Sequence, residues 1–234
     1  MSAIVWHDVE CGSYTADLPL WEELAAAAGG PVLDVGAGTG RVALHLVRAG
    51  HEVTALDVDD ELLAELRSRA RDAGLHVATI VADAADFDRQ GFALVVVPMQ
   101  TIQLLPDRAG FFASARRAVV PGGLVALAVA TELETFEGTS HLPDPDVGER
   151  DGMRFVSQPT AVRVVPGATR IERLRLTIGP GGERSDAHDV IELAAVTVAQ
   201  LEAEGEAAGL RPEPARTIAP TLEHVGSEVV LLRG

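Results

Sequence analysis

Lysine and asparagine are both missing from this sequence. All 19 cations are arginine, set against 35 aspartates and glutamates for a formal net charge of −16. Without lysine there is no Schiff-base nucleophile and no phosphate-cradling Walker-A lysine. Without a basic surplus the chain would be repelled by nucleic acid and by anionic membrane surfaces. A single cysteine, Cys11, cannot close an internal disulfide, so a reducing, cytoplasmic setting is expected. No run of 18 apolar residues occurs, and the acidic start of the chain lacks the basic and apolar regions of a secretion signal. Missing Lys and Asn beside abundant Ala, Arg and Gly point to GC-rich coding, a matter of codon supply.

What is present suits an α/β protein. The 234 residues are 47% hydrophobic, enough for one large domain with a buried core. The first half alternates strand and helix signals. Residues 17–30 read as a helix that Asp17 caps and Gly29-Gly30 end. Apolar strands are expected at 31–35, 52–57, 76–81, 92–97 and 124–129, with helices at 41–49, 61–73 and 108–119. Five strands separated by helices predict a parallel, doubly wound sheet. After Thr131, residues 131–152 read as an acid-, Pro- and Gly-rich mobile loop. Alternating strand patterns follow at 154–165, 171–178 and 189–195, predicting an antiparallel insertion within a single domain. Thr197 and Gln200 form a capping-box pattern opening a helix to Ala208, and 210–218 with 228–232 make a last strand pair.

The informative segment runs Val32-Leu33-Asp34-Val35-Gly36-Ala37-Gly38-Thr39-Gly40. A glycine turn between a buried strand and a helix lets a ligand approach the backbone closely at the helix's positive end. A dinucleotide fingerprint wants Gly or Ala at position 41, where this chain has Arg41. Asp57 ends the second strand about 20 residues downstream of Gly36, where an acid can accept from both hydroxyls of a ribose. Asp83, at the end of the third strand, is placed to accept from an exocyclic amine such as adenine N6. Singly, either acid could equally cap the next helix.

Residues 31–130 resemble class I S-adenosylmethionine-dependent methyltransferases. The resemblance rests on Leu33-Asp34-Val35-Gly36-Ala37-Gly38-Thr39-Gly40-Arg41, Ala55-Leu56-Asp57-Val58-Asp59, Ala82-Asp83-Ala84 and Val119-Val120-Pro121-Gly122-Gly123-Leu124. It implies a Rossmann-like fold: a seven-stranded, mostly parallel sheet of order 3-2-1-4-5-7-6, helices on both faces, and a β insertion after strand 5. The implied layout is a helical cap at 1–30, a cofactor core at 31–130, an acceptor lid at 131–195, and a helix and strand pair at 196–234. S-adenosylmethionine is the implied methyl donor, leaving as S-adenosylhomocysteine. The resemblance places Gly36, Ala37, Gly38 and Gly40, with Asp34, around the methionine portion. It places Asp57 at the ribose, Val58 on the adenine face, Asp83 and Ala84 at the adenine edge, and the Val97 backbone at the ligand's amino group. Tyr14 looks like a tyrosine that related enzymes fold over the cofactor.

The fourth strand ends Val97-Pro98-Met99-Gln100, without the signature of methyltransferases acting on DNA bases or protein glutamine. With the charge of −16, this favours a small-molecule acceptor, methylated at N or O, in bacterial specialised metabolism; no metal is expected. Nucleic acid and membranes are not expected as partners, and a homodimer stays open. Methyl transfer from a sulfonium needs chiefly orientation, and a base only for a protonated acceptor. His141, His188 and His224 are the acid–base candidates, Gln103 an orienting amide, and Met99, Gln103 and Arg154 the acceptor contacts. Arg154, Arg163, Arg170, Arg173 and Arg175 alternate along the insertion, mostly as a solvated face. A non-catalytic module of the same fold is the alternative; a nicotinamide-dependent oxidoreductase is disfavoured by Arg41.

Overall fold

The computed structural model describes residues 3–138, 142–221 and 224–234. It opens with two helices, α1 (Ala3–Cys11) and α2 (Leu18–Ala28). An alternating stretch follows: β1 (Val32–Val35), α3 (Arg41–Arg48), β2 (Val53–Asp57), α4 (Asp60–Asp72), β3 (Ala78–Val81) and β4 (Phe92–Val97). Next come the single-turn α5 (Thr101–Leu104), α6 (Arg108–Ala118) and β5 (Val119–Val129). Five strands then run in succession: β6 (Phe136–Glu137), β7 (Asp146–Arg150), β8 (Met153–Val165), β9 (Ala168–Ile178) and β10 (Arg184–Ala194). Helix α7 (Val198–Ala207), β11 (Arg211–Ile218) and β12 (Ser227–Arg233) close the chain.

The chain divides into two compact units. One joins the segment ending at Tyr14 to Glu132–Ala195; the other joins Thr15–Thr131 to Val196–Gly234. The expected helical cap at 1–30 is therefore parted after Tyr14, and the insertion at 131–195 groups with α1 as a unit of its own.

In the larger unit, seven strands stand in the order β3-β2-β1-β4-β5-β12-β11. The first five are parallel, while β12 runs antiparallel to both β5 and β11. This is the expected 3-2-1-4-5-7-6. Strand β4 is buried along nearly its whole length, as a parallel strand covered on both faces must be. Its residues Val95 and Val97 join Leu33, Val35, Phe111, Phe112 and Leu201 in one apolar cluster. The alternate residues Leu94 and Val96 turn to the opposite face, since side chains alternate along a strand. Thr197 and Gln200 close both bonds of the capping box of α7.

Asp17 departs from expectation. Its side chain makes no capping bond to α2; the carboxylate accepts from the Trp21 indole at 2.8 Å and from Arg41 Nη1 and Nη2 at 2.5 and 2.8 Å. A charged partner 24 residues away outcompetes a neutral backbone amide.

The smaller unit is an antiparallel sheet of order β10-β9-β8-β6, with β7 also on β8. The expected loop at 131–152 thus contains two short strands, whose acidic and glycine-rich sequence hid their pairing. Trp6 of α1 stacks edge-on against Phe155, with centroids 5.5 Å apart. Four of the five arginines expected mostly as a solvated face are tied into ion pairs, Arg163 to Glu137 and Glu172, Arg170 to Glu192, Arg173 to Asp189, and Arg175 to Asp189 and to Glu10 of α1, while Arg154 is exposed. Burial tends to raise the Glu10 carboxyl, but its bond with Arg175, the charge of Arg173 and a bond from Ser157 hold it below the usual range.

Candidate active site

Open parallel sheets bind ligands beyond the carboxyl ends of their strands, and the chemistry of this chain collects there. Between β1 and α3 the chain turns through Gly36, Gly38 and Gly40, at φ of 72°, 53° and 95°. The loop is fastened to the end of β2. The amides of Gly36 and Ala37 both donate to the Leu56 carbonyl, at 2.9 and 3.0 Å. The Gly38 amide donates to Asp57 Oδ2 at 2.8 Å, and the Gly40 amide to the Ala37 carbonyl at 2.9 Å. Four loop amides are therefore spent within the protein. A phosphate cradle needs free N–H groups, so the loop is poorly suited to the pyrophosphate of a dinucleotide.

Gly36 is required twice over. Its left-handed backbone is costly for any other residue, and a Cβ there would lie 2.6 Å from Thr101 Cγ2. Gly36→Ala is expected to reduce S-adenosylmethionine affinity more than about tenfold, since strain and overpacking together cost about 2 kcal/mol or more. Titration of the folded variant, with its thermal melt alongside, checks this.

Asp57 joins two turns: Oδ2 takes the Gly38 amide and Oδ1 the Asp59 amide at 3.0 Å. It does not cap α4. Asp59 does that, accepting from the amides of Glu61 and Leu62 at 2.8 and 3.3 Å. Asp57 is left half-exposed at the strand end, with lone pairs still available for a diol. Val58 beside it is 74% exposed, an apolar face in open view. One strand further, Asp83 is exposed and accepts the Ala85 amide through Oδ1 at 2.8 Å, while Ala84 is buried. On the other side of β1, Val97 is fully buried at the end of β4 and Met99 follows it at φ 55°. A left-handed methionine is uncommon, and such strain gathers at ligand sites.

Asp34 sits at the end of β1 just before the loop, 1% exposed, with neither carboxylate oxygen in a well-formed hydrogen bond to a described residue. Burial pushes its carboxyl up to about 7, and nearby Asp57 and Asp17 add to the rise. Arg41 and the Ala43 amide pull the other way without cancelling it. An unfolded aspartate ionises near 3.9, so the folded protein carries the extra proton between about pH 4 and pH 7. Asp34 therefore withdraws stability steadily as pH rises through that window, and the loss is complete only above about pH 7.

Gln103 is not presented to an acceptor. It is buried, its Nε2 donates to the Ala130 carbonyl at 3.2 Å, and its Oε1 accepts the Ala130 amide at 2.9 Å. It secures the chain leaving β5. His224 lies in the β11–β12 connection, which meets the carboxyl end of β5 because Glu228 pairs with Val129. The His224 amide donates to Thr221 Oγ1 at 2.9 Å, and the imidazole is half-exposed. His141 lies outside the described residues. Tyr14, Arg154 and His188 belong to the smaller unit: Tyr14 is buried, and Arg154 on β8 and His188 on β10 are exposed. Sequence reasoning missed Thr101, packed against Gly36, and the Asp17–Arg41–Trp21 cluster; only the buried-type position of Trp21 hinted at the latter.

A glycine loop fastened to an acidic strand end, with further acids at the neighbouring ends, suits an adenosine ligand that carries positive charge. That donor set and the 3-2-1-4-5-7-6 sheet define the class I methyltransferase fold. Residues 32–123 match the family model described as a methyltransferase domain, and that segment lies within a sheet of the S-adenosylmethionine-dependent methyltransferase fold. It is 34% identical over 100 residues to a ubiquinone biosynthesis O-methyltransferase of Methylococcus capsulatus, covering 42% of each protein. It is 35% identical over 117 residues to an S-adenosyl-L-methionine-dependent Diels-Alderase, iccD, of Talaromyces variabilis, covering 44% of this chain and 37% of that protein. The matches thus span less than half the length of these curated relatives. Among solved structures, the sugar N-methyltransferase KedS8 of Streptoalloteichus superposes with a TM-score of 0.77 at 20% identity, over 100% of this chain and 94% of the other. At that identity the likeness is one of fold.

Proposed function

We propose that this protein transfers the methyl group of S-adenosylmethionine to a nitrogen or oxygen of a small-molecule acceptor. The observation that carries the reading is the Asp57 carboxylate. It fastens the glycine loop through Gly38 and stands at the strand end where a ribose diol would be received. Gly36, Ala37, Gly38 and Gly40 would admit the methionine portion, Val58 would flank the adenine, and Asp83 with Ala84 would meet its edge. The Val97 backbone would receive the amino group. The donor supplies an electrophilic methyl on a sulfonium, so it arrives already activated.

The protein's own task is to hold an acceptor lone pair in line with the breaking carbon–sulfur bond. Orientation of that kind contributes up to roughly 7–11 kcal/mol. As the new bond forms, the sulfur keeps the bonding pair and the acceptor sheds its proton to a base or to water. His224, at the same edge of the sheet, is the candidate base among the described residues, and His141 the candidate beyond them. Met99, strained beside Val97, would face the acceptor. The charge of −16 supports a small acceptor over a polyanionic one. Lysine-free, GC-rich coding supports a bacterial origin with specialised metabolism.

A second reading is favoured by one finding: a relative 35% identical over 117 residues is named as a Diels-Alderase dependent on S-adenosyl-L-methionine. There the cofactor would be held without spending its methyl. Incubation with donor labelled at the methyl group, across small amines, phenols and carboxylates, decides between them. Label appearing in an acceptor supports transfer. Tight donor binding with label retained in every case supports the second reading, and binding of NAD in place of S-adenosylmethionine sinks both.

A further inference from the structure

Asp34, just before the glycine loop, feels the charges of two other carboxylates, Asp17 and Asp57, and of one cation, Arg41. Asp17 and Asp57 are occupied. Asp17 holds Arg41 and the Trp21 indole, and Asp57 holds the amides of Gly38 and Asp59. Asp34 is the odd member, enclosed, with neither oxygen in a well-formed hydrogen bond and only Arg41 and the Ala43 amide to favour its ionised form. An ionised carboxylate in such a place is costly, and taking up a proton relieves that cost. The charged groups facing it are Arg41 from the start of α3, Asp57 from the end of β2 and Asp17 from the segment before α2. They sum to one negative charge, so a positive ligand entering the loop would meet an excess of acid and would favour ionised Asp34.

We propose that Asp34 is a proton-exchanging counter-ion for the cofactor: neutral in the free protein, it ionises as cationic S-adenosylmethionine binds and releases one proton to solvent. This rests on the loop being the cofactor site and adds how pH governs it. The balance is simple. One positive charge enters with the ligand, one proton leaves to water, and the O–H bond of Asp34 is the bond broken. A ligand without net charge has no reason to displace the proton. The thioether 5′-methylthioadenosine carries the adenosine but neither the sulfonium nor the ammonium, so it serves as the contrast.

The direction follows from linkage. A free-state carboxyl titrating near 7 and a bound-state one titrating well below make binding tighten as pH rises toward 7. The affinity for S-adenosylmethionine at pH 7 is expected to be about fivefold that at pH 6, with about 0.9 proton released per ligand at pH 6 and about 0.5 at pH 7. Both values lie below the ligand's own α-amino range of about 7.7–8.0. Calorimetric titration at each pH, in two buffers of different ionisation enthalpy, reads both quantities. 5′-Methylthioadenosine is expected to release no proton, and Asp34→Asn to abolish the release while His45, His51 and His76 remain.

Proton-free, pH-independent binding of S-adenosylmethionine would overturn the proposal, as would full release in Asp34→Asn. Failure of the folded wild-type protein to bind S-adenosylmethionine at any pH would instead overturn the cofactor reading itself. Should Asp34→Asn not fold, infrared difference spectra of the wild-type protein serve. Loss of a protonated-carboxyl carbonyl band on ligand addition is expected, and its persistence refutes the exchange.

Discussion

Asp57→Ala is expected to weaken S-adenosylmethionine binding about a hundredfold in calorimetric titration, equivalent to about 2.7 kcal/mol. Two losses combine. The ribose diol would lose its charged acceptor, and each hydrogen bond to a charged group is worth about 1.5–3 kcal/mol. The amides of Gly38 and Asp59 would also lose their partner, freeing the loop from β2 at the point where Gly38 is held. Asp57→Asn separates the two effects. Its carboxamide oxygen can still take the Gly38 amide, so the loop stays fastened while charge at the diol is lost, and a smaller drop of about tenfold is expected. A folded Asp57→Ala protein that binds as tightly as wild type would refute the placement of the ribose.

Much of this edge of the molecule was legible in the sequence because its rules are local. Glycine turns after short apolar runs mark where strands give way to helices, and the strands through β4 lie within a few residues of their expected bounds, while β5 begins five residues early, at Val119. Thr197 and Gln200 encode their capping box in four residues, and both its bonds form. Distant partners hid the rest. Asp17 reads as a cap until Arg41 is brought beside it by the packing of α2 near α3, and no spacing rule links residues 24 apart. Gln103 reads as an active-site amide because it follows β4, yet it closes on the backbone of Ala130 once β5 lies alongside. The arginines of β8 and β9 alternate as a solvated face would, and only their neighbours on adjacent strands and Glu10 of α1 show that Arg163, Arg170, Arg173 and Arg175 are paired. The short strands β6 and β7 have the composition of a loop, and it is their partner β8 that makes them strands. Of the site, the acids were visible as residue types; the fastening of the loop amides to Leu56 and Asp57 was not.

The cluster that sequence reasoning missed carries the largest expected effect on stability. Asp17→Ala is expected to destabilise the larger unit by about 3–5 kcal/mol, since removing one partner of a buried ion pair strands the other. Asp17 is fully buried, and the side chain of Arg41 is 10% exposed. Without the carboxylate, the guanidinium and the Trp21 indole N–H would both lose their acceptor. Arg41 moreover opens α3, and a cation at a helix N-terminus opposes the dipole unless an anion neutralises it. A loss of that size is a large share of the 5–15 kcal/mol that holds a typical domain folded. Urea unfolding followed by Trp21 fluorescence, in a Trp6→Phe background that removes the second tryptophan, measures it. The double variant Asp17→Ala with Arg41→Met removes the stranded charge as well and is expected to recover most of the loss, as buried pairs replaced by apolar residues often do. If the single variant unfolds like the wild type, the pair contributes little and the junction of Gly40 with α3 is held by apolar packing. If the double variant is no better than the single, the loss is one of packing at Asp17 and not of an orphaned cation.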